Sequence, residues 1–261
     1  MYLLLFDSSF VLYFLSFIFF VSIPLLKVRV GSVASIILAV AAACNFLAVI
    51  IRWNELGYPP VSNLHETLVL FAFFLAAACL TTDGLHIIKN GLAGYSSFFC
   101  LVLLGYASLQ DVHIRPLMPA LKSNWLVIHV VSYFLGYSAC FVAFVAGVLH
   151  LAGLGKKNPD YLRQTDTLGY RAVLIAFPLM TAGLSTGAVW ANTAWGRYWG
   201  WDPKETCALI TWLLYATYMH MRSGSKKTAQ YSAVIAVLGF ASVLFTFIGA
   251  GLFFHGFHSY R

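Results

Sequence analysis

Eight stretches of mostly apolar residues run through this chain, roughly 8–26, 33–51, 66–85, 94–110, 125–153, 171–190, 205–221 and 231–253. About 20 such residues are what one α-helix needs to cross the hydrocarbon core of a bilayer. The runs are continuous rather than alternating, which excludes the strands of a membrane β-barrel. The fold class expected is therefore all-α: a polytopic integral membrane bundle of about eight transmembrane helices, with 1–261 as a single membrane domain and no soluble domain. Composition agrees, since 61% of residues are hydrophobic and 10% charged, whereas a soluble domain carries about a quarter charged residues. No positive residue precedes Asp7 and no small-x-small cleavage site follows it. The first run is thus expected to be a retained span rather than a signal peptide.

The formal net charge is +7, but the basic residues sit singly or in short groups between apolar runs. That spacing excludes nucleic-acid binding, which needs a clustered basic face, and fits the bias of Lys and Arg toward the cytoplasm. With the N-terminus outside, inner loops hold ten basic residues, among them Lys27, Arg29, Lys156, Lys157, Lys226 and Lys227, against six outside. Both termini are then expected outside, on the same side as the 52–65, 111–125 and 191–204 loops. The five cysteines, Cys44, Cys79, Cys100, Cys140 and Cys207, lie scattered in apolar runs with no CxxC pair. They read as small buried side chains, not as a redox or zinc motif.

The stretch from Trp190 to Glu205 is the most informative. Trp190, Trp195, Trp199 and Trp201, four of the chain's seven tryptophans, fall within twelve residues. Indole rings offer large contact area at small rotamer cost and suit a flat aromatic ligand by offset and edge contacts. Gly196 and Gly200 would allow close backbone approach, and Arg197 and Lys204 would suit carboxylates. An interfacial aromatic belt is the competing explanation. Asp202-Pro203-Lys204-Glu205 also has the form of a helix start, with Asp202 at the N-cap, proline first and glutamate third. Asn63-Leu-His-Glu66 repeats the spacing at the third run.

Eight histidines are available: His65, His86, His113, His129, His150, His220, His255 and His258. Imidazole is a common axial ligand of haem iron. His129 near the outer end of the fifth run and His258 beyond the eighth share the expected outer side with the tryptophan loop, and His255 and His113 compete with them. His220 lies 15 residues after Glu205, about 22 Å further along a helix; an ionisable residue at that depth suggests function, while adjacent Arg222 suggests an inner interface. His150 sits at similar depth.

Trp195-Gly-Arg-Tyr-Trp199-Gly-Trp201-Asp202-Pro203-Lys204-Glu205, followed by Leu209-Ile-Thr-Trp212 and Tyr215-Ala-Thr-Tyr-Met-His220-Met-Arg222, resembles the WWD domain of the cytochrome c assembly family. Asn124-Trp125-Leu-Val-Ile-His129, the ending Gly256-Phe-His258-Ser-Tyr260 and the Arg52-Trp53 to Glu66 stretch are similar too, so the resemblance covers 52–261. Within that family the Asp-Pro-Lys-Glu-Thr form and eight-span length look most like the CcsA (ResC) component of system II. The resemblance implies haem handling and presentation for covalent attachment to apocytochrome c on the outer side, as a component of a cytochrome c synthase (haem lyase) complex. It implies haem b (iron protoporphyrin IX) as cargo, His129 and His258 as outer axial ligands and His220 as the membrane histidine. Trp190, Trp195, Trp199, Trp201 and Asp202 would form the haem-contacting loop. It further implies a CcsB (ResB)-type membrane partner, apocytochrome c with CxxCH as client, and location in a bacterial cytoplasmic or thylakoid membrane. A HemX-type regulator of haem synthesis, a transporter of another aromatic compound and a purely structural membrane subunit are the other readings. Cys207, His65 and Tyr58 depart from the residues common in the family at those positions.

Overall fold

The computed structural model describes residues 1–26, 31–84, 92–114, 116–156, 158–224 and 229–254. Among them the only regular structure is helical: α1 (Tyr2–Leu26), α2 (Gly31–Leu56), α3 (Leu64–Gly84), α4 (Ala93–Ser108), α5 (Asn124–Gly153), α6 (Pro159–Trp195), α7 (Pro203–Gly224), α8 (Ala229–Leu244), a π turn (Phe245–Gly249) and the short α9 (Ala250–Phe253). Each of the eight apolar runs becomes one helix, the last being α8 continued through the π turn into α9. Six are long and apolar enough to cross a membrane, α4 is shorter, and α7 is more polar along its length. This is the expected polytopic helical membrane protein.

Backbone contacts divide the chain into two compact units, Met1–Leu117 and Met118–Arg261. In the first, α1 packs on α2 and α4, and α3 packs on α4 and α2. One end of this unit is tied by polar groups. Arg52 and Glu66 are both buried and form an ion pair, Nη2 to Oε1 at 3.3 Å. The same Nη2 donates to the Val112 carbonyl at 2.7 Å. Glu66 Oε2 accepts from the Ser62 N–H at 3.0 Å and the Ser62 hydroxyl at 2.8 Å, while Asn63 Oδ1 caps the Glu66 N–H at 2.9 Å. The helix-start reading of Asn63 to Glu66 thus holds, with the glutamate reaching one residue further back than a standard capping box. His65 Nδ1 lies 2.8 Å from the Ala107 carbonyl and must donate to it, which leaves Nε2 to accept from the Tyr2 hydroxyl.

In the second unit α5 lies along most of α6 and against α8, and α7 packs on α8 and more lightly on α6. The sixth run, read as 171–190, is the middle of a helix that starts twelve residues earlier and ends five later. Asn158 Oδ1 caps it by accepting from the Tyr161 N–H at 3.2 Å, and Pro159 takes the first position. Residues 160–171 include Asp160, Arg163, Gln164, Asp166 and Arg171, so the apolar pattern fades there although the helix continues. At 37 residues it is about 55 Å long, longer than a hydrocarbon core of about 30 Å. Arg222 of α7 anchors this polar half through a 2.8 Å ion pair with Asp166.

Breaking a buried ion pair by removing one partner costs about 3–5 kcal/mol. Glu66→Ala is therefore expected to destabilise the first unit by about that amount, seen as an earlier SDS-induced unfolding midpoint of the purified protein. An unchanged midpoint would show that the pair adds nothing to stability.

Candidate functional site: the tryptophan loop and His129

The loop joining α6 to α7 is short and heavily constrained. Gly196 ends α6 at φ 77° with its N–H donating to the Asn192 carbonyl at 3.0 Å, the left-handed stop that glycine adopts without strain. Trp201 is the only described non-glycine residue at positive φ, 55°, so the backbone bends sharply just ahead of α7. Asp202 is buried and caps α7, its Oδ1 accepting from the Lys204 N–H at 2.9 Å. Glu205 folds back so that one oxygen, Oε2, accepts from both the Gly200 N–H at 2.7 Å and the Asp202 N–H at 3.2 Å. The helix-start reading of Asp202 and Glu205 thus holds, with the added result that the glutamate pins the middle of the loop. Gly200 has a local reason of its own: a Cβ there would lie 3.0 Å from Arg197 Nε.

The four tryptophans form two edge-to-face pairs. Trp190 and Trp195 have centroids 4.9 Å apart at 73°, and Trp199 and Trp201 are 5.7 Å apart at 88°. Their surroundings differ. Trp190 is 1% exposed and donates from Nε1 to the Ala120 carbonyl at 2.8 Å, so it anchors the end of α6. Trp201 is 71% exposed and neighbouring Tyr198 60%. Trp195 and Trp199 are intermediate. The loop thus holds paired rings on a pinned backbone.

His129 stands beside the first pair. Its ring lies 6.0 Å from Trp190 at 27° and 5.0 Å from Tyr133 edge-on. Nδ1 is 2.8 Å from the Gly183 carbonyl of α6. A carbonyl only accepts, so Nδ1 carries the hydrogen and the basic lone pair of the neutral ring falls on Nε2. This is how a metal-binding imidazole is usually oriented, with its other nitrogen donating to a carbonyl. The ring fits because Gly187 has no side chain: a Cβ there would lie 2.4 Å from Nδ1 and 2.5 Å from Cε1. Gly183 likewise admits Tyr133, which a Cβ would meet at 2.8 Å. Neither glycine stood out as functional in the sequence. Their signal was Gly183-Leu-Ser-Thr-Gly187, the small-xxx-small spacing that lets membrane helices approach closely.

The other histidines lie elsewhere. His220 is exposed on α7, four residues before its end. His150 is buried, with Nδ1 3.1 Å from both the Leu162 carbonyl and the Thr165 hydroxyl. His65 belongs to the buried network of the first unit, and His113 is exposed beside Asp111 at 2.6 Å. His258, His255 and His86 lie outside the described residues. Among the described residues no three His, Cys, Asp or Glu side chains gather around a point that would hold a bare metal ion. Haem asks less of the protein, since the porphyrin supplies four of the iron's ligands and only the axial ones remain.

A family model described as "Cytochrome C assembly protein" matches residues 4–258. The chain belongs to the cytochrome c assembly protein family. Curated relatives within it include the "Cytochrome c biogenesis protein CcsA" of Chlamydomonas reinhardtii, 35% identical over 250 residues and covering 90% of this chain and 70% of that one. The protein of the same name from Guillardia theta is 36% identical, covering 84% of this chain and 82% of its own. That of Synechococcus elongatus is 34% identical and covers 85% of each. Among solved structures, a "Cytochrome c Heme Lyase CcmF" superposes with a TM-score of 0.65 at 20% identity, over 97% of this chain and 46% of that one. At that identity it speaks for the fold alone. The family resemblance carried by the tryptophan motif is thereby established for nearly the whole chain.

If the Gly187 gap positions His129, Gly187→Ala will displace the imidazole while leaving α6 helical, because alanine favours helix over glycine. If the imidazole is also a haem ligand, the variant is expected to match His129→Ala in losing haem-derived Soret absorbance, with unchanged far-ultraviolet circular dichroism. Full retention of haem would show that the ring tolerates the displacement.

Proposed function

We propose that this family member handles haem b (iron protoporphyrin IX) and presents it, at the loop between α6 and α7, for covalent attachment to apocytochrome c. The observation that carries the reading is His129: an imidazole whose tautomer is set by the Gly183 carbonyl, stacked on Trp190 near the end of α6 that leads into the tryptophan loop. In this reading His129 and His258 are the axial pair. Trp195, Trp199 and Trp201 contact the porphyrin, Trp190 supports the ring of His129, and Asp202 and Glu205 hold the loop backbone. His220, an exposed imidazole about 26 Å along α7 from its first residue, receives haem on its way to the loop.

The chemistry asks for orientation more than for a nucleophile. Thioether formation adds a thiol across a vinyl group: sulfur bonds one vinyl carbon and hydrogen the other, with nothing left over. The apocytochrome brings both thiols in its CxxCH motif. The chain's task is to hold the vinyl edge outward against the incoming peptide, and fixed geometry of this kind lowers a barrier by several kcal/mol. A loop pinned at Gly200 and Asp202, with Trp201 and Tyr198 exposed, suits that task. A CcsB (ResB)-type membrane protein is the proposed partner within a cytochrome c synthase. The membrane is a bacterial cytoplasmic or a thylakoid one, with both termini on the outer side, following the distribution of Lys and Arg.

Visible spectra of the purified wild type and of His129→Ala, His258→Ala and His220→Ala, with and without a CcsB-type partner, test this. Wild type is expected to show a Soret band that weakens or shifts in the His129 and His258 variants and recovers with added imidazole. Absence of haem from every preparation, with haem supplied and the partner present, would overturn the reading.

A further inference from the structure

The last helix contains a feature that the haem reading does not use. Between Leu244 and Ala250 the helix widens into one π turn, Phe245–Gly249. Single π turns inside α-helices concentrate at functional sites. This one is bounded by hydroxyls. Thr246 Oγ1 donates to the Ser242 carbonyl at 2.8 Å. Thr211 reaches across from α7, its Oγ1 2.7 Å from Ser242 Oγ and 3.0 Å from Thr246 Oγ1, and it also donates to the Cys207 carbonyl at 2.9 Å.

Two glycines show what the turn does. A Cβ on Gly239 would meet the Tyr215 ring at 2.9 Å, and a Cβ on Gly251 would find Lys204 Cε and Nζ nearest, at 3.9 Å. Both glycines therefore face α7, and Lys204 and Tyr215 lie on one face of α7. In an unbroken α-helix twelve residues at about 100° each would leave Gly251 about 120° away from Gly239. One residue absorbed by the π turn gives back about 100°, which returns Gly251 to the α7 side. Without it Ala250 would occupy that place. Gly251 thereby comes to face Lys204, the second residue of α7, directly after the pinned loop.

We propose that the π turn, held by Thr211, Ser242 and Thr246, is a register device that seats the end of the last helix, Ala250–Phe253, against Lys204 at the base of the tryptophan loop. Thr211 and Thr246 are positioning residues: they set which residue of the last helix meets Lys204. The consequence for haem rests on the function proposed above, because the seated segment leads to His258. The register itself does not depend on that reading.

The full-length protein carries either Gly251→Asp or Ala250→Asp, and zero-length carbodiimide coupling of the Lys204 amine to the new carboxylate is read by mass spectrometry. The 204–251 pair is expected to close in the parent. Thr211→Val with Thr246→Val removes the clamp and keeps the volume, so the helix straightens and closure moves to 204–250. Deleting Ile248 from that double variant removes the surplus residue and returns closure to 204–251. In the protein without the aspartate substitutions, loaded with haem, the valine pair is expected to lower Soret absorbance several-fold and the deletion to restore it. Closure at 204–250 in the parent, or at 204–251 despite the valines, would overturn the register device and leave the hydroxyls as ordinary glue between helices. Cross-links that move as expected while haem stays bound through His129 in every variant would overturn its role in presenting the C-terminal segment, without touching the haem reading itself.

Discussion

The approach of α5 to α6 is the constraint on which the second unit depends. Lipid tails are as apolar as leucine, so membrane helices associate through close packing and polar contacts rather than through release of water. Gly183 and Gly187 open a notch on α6, and Tyr133 and His129 of α5 fill it. One backbone carbonyl in the notch, that of Gly183, orients the imidazole. A position that reads as mere helix packing is thereby also the position that decides which nitrogen of His129 is basic. Packing and chemistry share the same few atoms, so they cannot be altered independently.

The loop between α6 and α7 is built on the same economy. Glu205 caps α7 in the ordinary way through the Asp202 N–H, and the same oxygen reaches Gly200 three residues outside the helix. The first turn of α7 is thus both a helix start and a clamp on the tryptophans. At the other end of the loop Trp190 is fixed through Ala120, so the loop is held at both ends and near its middle. In the proposed role such stiffness would matter, because an orientation set during folding need not be set again at each encounter.

Much of this was legible in the residues. Continuous apolar runs specified the helices, and Asp-Pro-Lys-Glu specified where α7 begins, because both depend on neighbours in sequence. The length of α6 was not legible, because a polar face along 160–171 interrupts hydropathy without interrupting helix. The role of Gly187 was half-legible: its spacing from Gly183 marks a close helix contact, but that an imidazole occupies the gap depends on α5. The π turn was hidden, because it rests on a hydroxyl that reaches across from Thr211 on another helix. His129 could be assigned from its run to the same side as the tryptophan loop, but the carbonyl that orients it belongs to α6 and leaves no mark on the residues around His129.

The buried pair of Arg52 and Glu66 has a bearing on which helices of the first unit need one another. Arg52 lies near the end of α2 and Glu66 near the start of α3, with residues 57–63 between the helices. With either helix absent, the Arg52 guanidinium or the Glu66 carboxylate would lose the partner it is buried against. Packed together, the two neutralise one another within a single hairpin. The α2–α3 hairpin is therefore the smallest piece of the first unit in which this pair is complete, and packing the two helices together is what lets both charged groups be buried.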